Sequence, residues 1–205
     1  MPKLGMEPIR RRALISAAIE TIHDRGFCDV TVGQIARRAG VSSALAHHYF
    51  GSKEDLLIAT MRHLLQELGK AIVQRLKKAR SPRERVFAVI AGNFAPDQFQ
   101  PATISAWLAF YVQAQTVPEA RRLHRIYARR LKSNLVHGLS LLIPRDRAVD
   151  AAEGAAALID GLWIRYALAE NAPDPDAAIA LVEAFVESRL GESRLGESLA
   201  GRGRQ

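Results

Sequence analysis

Apolar residues along this chain recur at the three- and four-residue spacing of helices, and no stretch alternates with the period of a strand. A first helix is predicted over 8–25. Leu14, Ile15, Ala18, Ile19 and Ile22 form its stripe, Pro8 suits its first turn, and Gly26 closes it. A short second helix begins at Thr31, whose side chain and that of Gln34 can cap each other's backbone. Ile35, Ala36 and Ala39 face inward there, while Arg37 and Arg38 stay outside. Gly40 supplies the left-handed residue that stops the helix, and Val41 packs back into the angle. Ser42 or Ser43 caps a third helix running to about Phe50. Ser52 with Asp55 opens a fourth, which reaches about Ala79 before Ser81-Pro82 interrupts it. Further breaks at Pro96, Pro101, Pro118, Pro144 and the Pro173-Asp174-Pro175 turn place helices at about 82–94, 101–116, 118–142, 145–171 and 175–190. The expected fold is all-α, with about nine helices and no strand.

The run from Thr31 to Phe50 has the layout of a helix-turn-helix, whose second helix can enter the major groove of DNA. A helical hairpin with no nucleic-acid role would share the layout. Here, however, small polar and basic residues sit where the groove would be. Ser42, Ser43, Ala44, Leu45, His47, His48 and Tyr49 occupy that face or its margins, with Thr31 at the entry to the motif. Ala44 can meet a thymine methyl, and His48 can bond a base or a phosphate. Arg10, Arg11 and Arg12 lead the first helix and can grip phosphate or the minor groove; an ordinary solvated charge run is the alternative. Ala46, Phe50 and Val41 are read as core.

The same stretch resembles the DNA-binding module of the TetR family of bacterial repressors, above all in IARRAGVS, HHYF and SKEDLL. The opening MPKLGMEPIRRR and the segments WLAFY and LIDGLWIR look like the members of that family that control the choline-to-glycine-betaine pathway. The resemblance runs to about Leu190. It implies a homodimeric, ligand-responsive transcriptional repressor that binds a pseudo-palindromic double-stranded DNA operator. It also implies pairing through the last two long helices, and phosphate contacts from His47, Tyr49 and Lys53. His47 stands where the family more often has Tyr, and Leu45 where it more often has Thr, so an operator sequence cannot be borrowed from distant relatives. The expected division is a DNA-binding domain over 8–68, an effector-binding and dimerisation domain over 69–190, and, from its glycines, a disordered tail over 191–205. That tail carries Ser-Arg-Leu-Gly-Glu twice.

Charge strengthens the nucleic-acid reading. The chain of 205 residues has a net charge of +8. Residues 1–53 carry eight Lys or Arg against four Asp or Glu, a net +4, and the far longer remainder, with 21 against 17, adds only another +4. A basic balance alone would suit a membrane surface as well; joined to a helix-turn-helix it favours DNA. No run of about 18 apolar residues appears, so no membrane partner is expected, and the cytoplasm is the expected compartment. The one cysteine, Cys28, has no partner for an internal disulfide and is read as a packing residue. No metal or cofactor is expected. His47 and His48 are helix neighbours that point about 100° apart, and Glu20 with His23 is a single helical pair where a di-metal bundle needs two.

Aromatic residues gather in two of the later helices, Trp107, Phe110 and Tyr111 in one, Trp163 and Tyr166 in the other. Such rings recognise quaternary ammonium ions through cation–π attraction, and Asp160 or Glu170 offers a carboxylate to complete a site. Choline as the effector is what the resemblance adds to that spacing; another cationic or amphipathic ligand fits the rings equally, as does an ordinary core. A helical enzyme acting on a cationic substrate is the reading from another class, and the chain offers no nucleophile–base pair or phosphate loop for it. Ala148, Ala151, Ala152, Gly154, Ala155, Ala156 and Gly161 permit close helix approach, either between subunits or within the chain.

Overall fold

In the computed structural model, residues 5–96, 98–172 and 174–202 are described, with side chains up to 192. They form nine helices, α1 (Met6–Arg25), α2 (Val32–Arg38), α3 (Ser43–Phe50), α4 (Lys53–Leu76), α5 (Pro82–Asn93), α6 (Pro101–Thr116), α7 (Pro118–Leu139), α8 (Arg145–Ala167) and α9 (Pro175–Arg202). No strand occurs among the described residues. Local signals explain most of the boundaries. Ser81 caps α5, its hydroxyl accepting from the Glu84 amide at 3.1 Å, with Pro82 in the first turn. Pro101 and Pro118 begin α6 and α7 in the same way.

The chain packs as two compact units. One takes the chain up to Glu67 together with Gln100–His124; the other takes Leu68–Phe99 and the chain from Arg125 on. α6 packs with the N-terminal helices rather than with α7–α9. Ala109 of α6 joins Leu14, Ala18 and Ile22 of α1, Ile35 and Ala36 of α2, Ala46 and Phe50 of α3, and Leu56 and Leu57 of α4 in one core. At its edge the Ser105 hydroxyl lies 2.9 Å from His23 Nδ1. The stripe of α1 differs slightly from the expected one: Leu14, Ala18 and Ile22 are buried with Ala17 and Thr21, while Ile15 and Ile19 are half-buried. A sixth helix packed on α1 draws the buried face round toward Ala17 and Thr21.

In the second unit α8 packs against α9, and α5 also meets α9. Ala148, Ala151, Ala152 and Ala155 are buried, and a Cβ on Gly154 would lie 2.5 Å from Phe185 Cζ. These small residues therefore serve packing inside the chain. Four helix ends differ from expectation. α4 ends at Leu76, α7 at Leu139 and α8 at Ala167, each short of its expected end. α9 instead continues past Leu190 to Arg202, so the tail expected to be disordered over 191–205 is helical over 191–202; residues 203–205 and Pro173 lie outside the described residues. Each glycine in that tail costs helix only about 1 kcal/mol, and the Glu, Arg and Leu between them are good helix formers. Arg189 and Glu192 also pair at 3.0 Å one turn apart.

Gly92 sets how closely α5 approaches α4. A Cβ there would meet Ile72 Cγ1 at 2.6 Å and Ile72 Cα at 2.9 Å, so backbone would have to shift. Helix propensity alone makes glycine-to-alanine favourable by about 1 kcal/mol. Gly92→Ala is expected to reverse that sign and lower stability by about 1–3 kcal/mol in urea unfolding, the usual range for overpacking. An unchanged or raised midpoint would contradict the close approach.

Candidate nucleic-acid interface and effector site

The geometry of the helix-turn-helix follows from backbone satisfaction at its turn. Thr31 Oγ1 accepts from the Gln34 amide at 3.3 Å, and Gln34 Oε1 accepts from the Thr31 amide at 2.8 Å, the expected reciprocal cap. At the other end of α2, the Val41 amide donates to the Ala36 carbonyl at 3.0 Å and the Gly40 amide to the Arg37 carbonyl at 3.2 Å. Gly40 has φ +68°. This pair of bonds satisfies two of the helix's last carbonyls and turns the chain sharply. Of the two serines offered as caps, Ser42 takes the role, its hydroxyl accepting from the Leu45 amide at 3.2 Å, and Ser43 is the first helical residue.

Burial then sorts the residues of α3. Ala46 and Phe50 are buried and Val41 is half-buried against the same core, as expected. Ser42, Ser43, Ala44, His47 and His48 are exposed, and Leu45 and Tyr49 are half-buried. The polar face is thus presented outward. His47 Nδ1 lies 2.8 Å from the Gly51 carbonyl, which only accepts, so Nδ1 carries the proton and donates there. The His48 and Tyr49 rings lie side by side, centroids 5.6 Å apart.

The basic residues divide into anchored and free. Arg11 is anchored, 3.3 Å from Glu7 and 4.7 Å above the Phe50 ring, and Arg12 donates to the Pro8 carbonyl at 3.4 Å. Arg10 has no partner among the described residues. Lys53 Nζ donates to the carbonyls of Cys28 at 3.2 Å and Phe27 at 3.4 Å, lying 5.5 Å from the Phe27 ring. Its ammonium therefore stitches the α1–α2 connection to the start of α4. Cys28, read from sequence as a packing residue, is instead exposed, its carbonyl accepting from Lys53. Arg38 bridges α2 to α1, 2.9 Å from Glu20 and 2.6 Å from Asp24. The hydrogen bond from Arg38 holds the Asp24 carboxyl below its ordinary value and raises the guanidinium in return. Glu20 is thus engaged with an arginine, and no group of three metal-ligating side chains occurs among the described residues.

Of the aromatic residues expected at a ligand site, Trp107, Phe110 and Tyr111 belong to the first unit and Trp163 and Tyr166 to the second. On α6, Trp107 and Phe110 are buried, Tyr111 is half-buried, and the Phe110 and Tyr111 rings meet His124 of α7 at 6.1 and 5.5 Å. In the other unit, Phe99 is the hub: its ring meets Phe94, Trp163 and Tyr166 edge to face at 5.1, 5.1 and 5.2 Å. Asp160, one turn before Trp163 on α8, is half-buried and accepts from the Tyr127 hydroxyl at 2.9 Å. Nearby in sequence, Asn93 is fully buried. Its Nδ2 donates to the Val89 carbonyl, and its Oδ1 has no partner among the described residues. Glu170 lies beyond the end of α8 and is exposed, because the helix stops at Ala167. Sequence reasoning missed Asn93, Phe94, Phe99 and Tyr127. The available signal was two phenylalanines in the proline-flanked stretch NFAPDQFQ, where an ordinary surface connection has no use for rings.

Comparison with known proteins bears on both halves. Residues 14–60 match the family model for bacterial regulatory proteins of the TetR family. Residues 82–191 match the model for the C-terminal part of BetI-type transcriptional repressors. The HTH-type transcriptional regulator BetI of Brucella melitensis is 60% identical over 190 residues, covering 93% of this chain and 96% of the relative. Its counterpart in Rhizobium meliloti is 56% identical, covering 93% and 94%. Among solved structures, a putative transcriptional regulator from Saccharomonospora viridis in complex with choline superposes with a TM-score of 0.70 at 24% identity, covering 86% of this chain and 95% of that one.

The turn carries a prediction of its own. Alanine at position 40 would hold an L side chain at φ +68°, which costs about 1–2 kcal/mol. Gly40→Ala is expected to lower the stability measured in urea by that amount, and Gly40→Asn to lose less, since asparagine tolerates this conformation. Equal stability of glycine and alanine would mean that the turn does not need the left-handed residue.

Proposed function

The chain belongs to the TetR family of bacterial regulatory proteins, with the body of the BetI-type transcriptional repressors, and on that premise we propose that choline governs its hold on DNA. It is a DNA-binding transcriptional repressor and not an enzyme. The genes it controls, in this reading, are those for choline uptake and conversion to glycine betaine, and it acts in the cytoplasm.

One observation carries the ligand assignment: Phe99, Trp163 and Tyr166 are gathered in the unit that also holds the Asp160 carboxylate. A trimethylammonium group has no hydrogen-bond donor. It is recognised by ring faces and a nearby negative charge, which is what this cluster offers. The free acceptor at Asn93 Oδ1 suits the hydroxyl at the other end of choline. The choline complex of the Saccharomonospora viridis relative supports the choice of ligand. Trp107, Phe110 and Tyr111 remain the second ring set on which a cation could rest. Exposed Glu170 is the weaker of the two carboxylates.

For DNA, α3 is the element proposed to enter the major groove, presenting Ser42, Ser43, Ala44, Leu45, His47, His48 and Tyr49. Arg10, Arg11, Arg12, Thr31 and Lys53 are assigned to phosphates or to the groove margin. Two copies paired through α8 and α9, where Leu158 and Leu181 are exposed, would present two such helices to the inverted half-sites of a pseudo-palindrome.

The DNA roles separate by salt. Replacing Arg10, Arg11 and Arg12 with glutamine is expected to weaken binding to every duplex and to lower the salt slope by about one for each phosphate no longer neutralised. Ala44→Val is expected to change which operators bind. Equal losses on all sequences from both changes would refute the division.

The ligand role separates by calorimetry. Trp163→Leu keeps bulk but removes the π face, so choline affinity is expected to fall by roughly two- to thirtyfold while ligand-free operator binding persists. Weakening by Trp107→Leu alone would move the site to α6. Unchanged affinity in both folded variants would contradict recognition by these rings.

A further inference from the structure

Between Ala120 and Pro144 the chain has no acidic residue, yet it carries Arg121, Arg122, Arg125, Arg129, Arg130 and Lys132. Within the second unit, Arg125, Arg129 and Arg130 of α7 are exposed, and their guanidinium groups have no ion-pair or hydrogen-bond partner among the described residues. Lys132 is neutralised by Glu153 at 2.6 Å. The rest of the outward face is Ser133, Asn134 and His137, all exposed. The inward face is Tyr127, Leu131, Leu135 and Leu139, all buried. From Arg125 to His137 this polar face runs for about 18 Å of helix.

We propose that this face of α7, on the unit that lacks the helix-turn-helix, is a second docking surface for the phosphate backbone of duplex DNA. Its chemistry selects that partner among polyanions. Protein interfaces concentrate their energy in aromatic and apolar anchors, and α7 exposes none. Helices that lie on membranes insert apolar side chains beside their basic ones, and those are missing too. Unpaired arginines interleaved with hydroxyl and amide side chains are the donors that phosphate oxygens take without sequence preference. A repressor seated on its operator would thereby hold a second, unrelated duplex.

The test loads the full-length protein onto immobilised DNA from upstream of its own gene and then offers a labelled random duplex. A parallel arm holds the protein by an affinity tag, so that failure of operator binding is seen separately from failure of this surface. The random duplex is expected to bind with a salt slope of about −2.7, or about twentyfold weaker at about 150 mM than at about 50 mM salt. Replacing Arg125, Arg129 and Arg130 together with glutamine is expected to remove that slope from the operator-loaded protein and to lower it by about as much in the tagged arm. The three lysine replacements are expected to keep it, which excludes a merely structural effect. No second duplex at low salt, or the same slope in the glutamine variant, would overturn the proposal. So would binding only to vesicles of phosphatidylglycerol or only to polyglutamate.

Discussion

Burial of Ala46 and Phe50 holds α3 in the core shared with α1, α2, α4 and α6, and the outward face of the helix exists only because of that grip. A helix this short does not persist alone in water. Burying the phenylalanine side chain is worth about 1.5–3 kcal/mol, which is the scale needed to fix such a helix. The Gly40 turn and the Ser42 cap supply direction, and the core supplies the hold. Arg11 above the Phe50 ring extends the same contact to the basic start of α1, so one buried ring organises groups from two helices.

Repression that answers to a ligand needs two states with unequal affinity for it. The helices α4 and α7 each run through a boundary between the two packing units, so backbone in one is covalently continuous with helix in the other. Glu119 at the start of α7 is 2.7 Å from Arg62 of α4, and that hydrogen bond holds its carboxyl below the ordinary value. Both helices are thereby tied to the N-terminal unit. The coupling a ligand can exert between DNA and itself equals its differential affinity for the two states and no more.

Much of this architecture was legible in the sequence because its signals are local. Thr31 with Gln34, Ser52 with Asp55, Gly40, and the prolines that open α5, α6 and α7 each act on backbone within four residues, and each stands where expected. The exposed residues of α3 were readable for the same reason. What escaped depends on distant partners. Lys53 bonds carbonyls of a connection far earlier in the chain, and Asp160 takes its hydrogen bond from Tyr127 on another helix. Phe99 lies outside any helix, where periodicity carries no information about burial. Placing α6 with the N-terminal helices required the tertiary core itself, since its apolar spacing fits a partner in either unit. The continuation of α9 escaped because the helix formers around its glycines outweigh them.

Reciprocity gives the most direct test of a choline-responsive repressor. Operator affinity is measured with and without saturating choline, and choline affinity with and without saturating operator DNA. Both ratios are predicted to depart from one, and by the same factor, since a single coupling free energy links the two sites. A choline affinity that operator DNA leaves unchanged, with an operator affinity that choline leaves unchanged, would contradict the account.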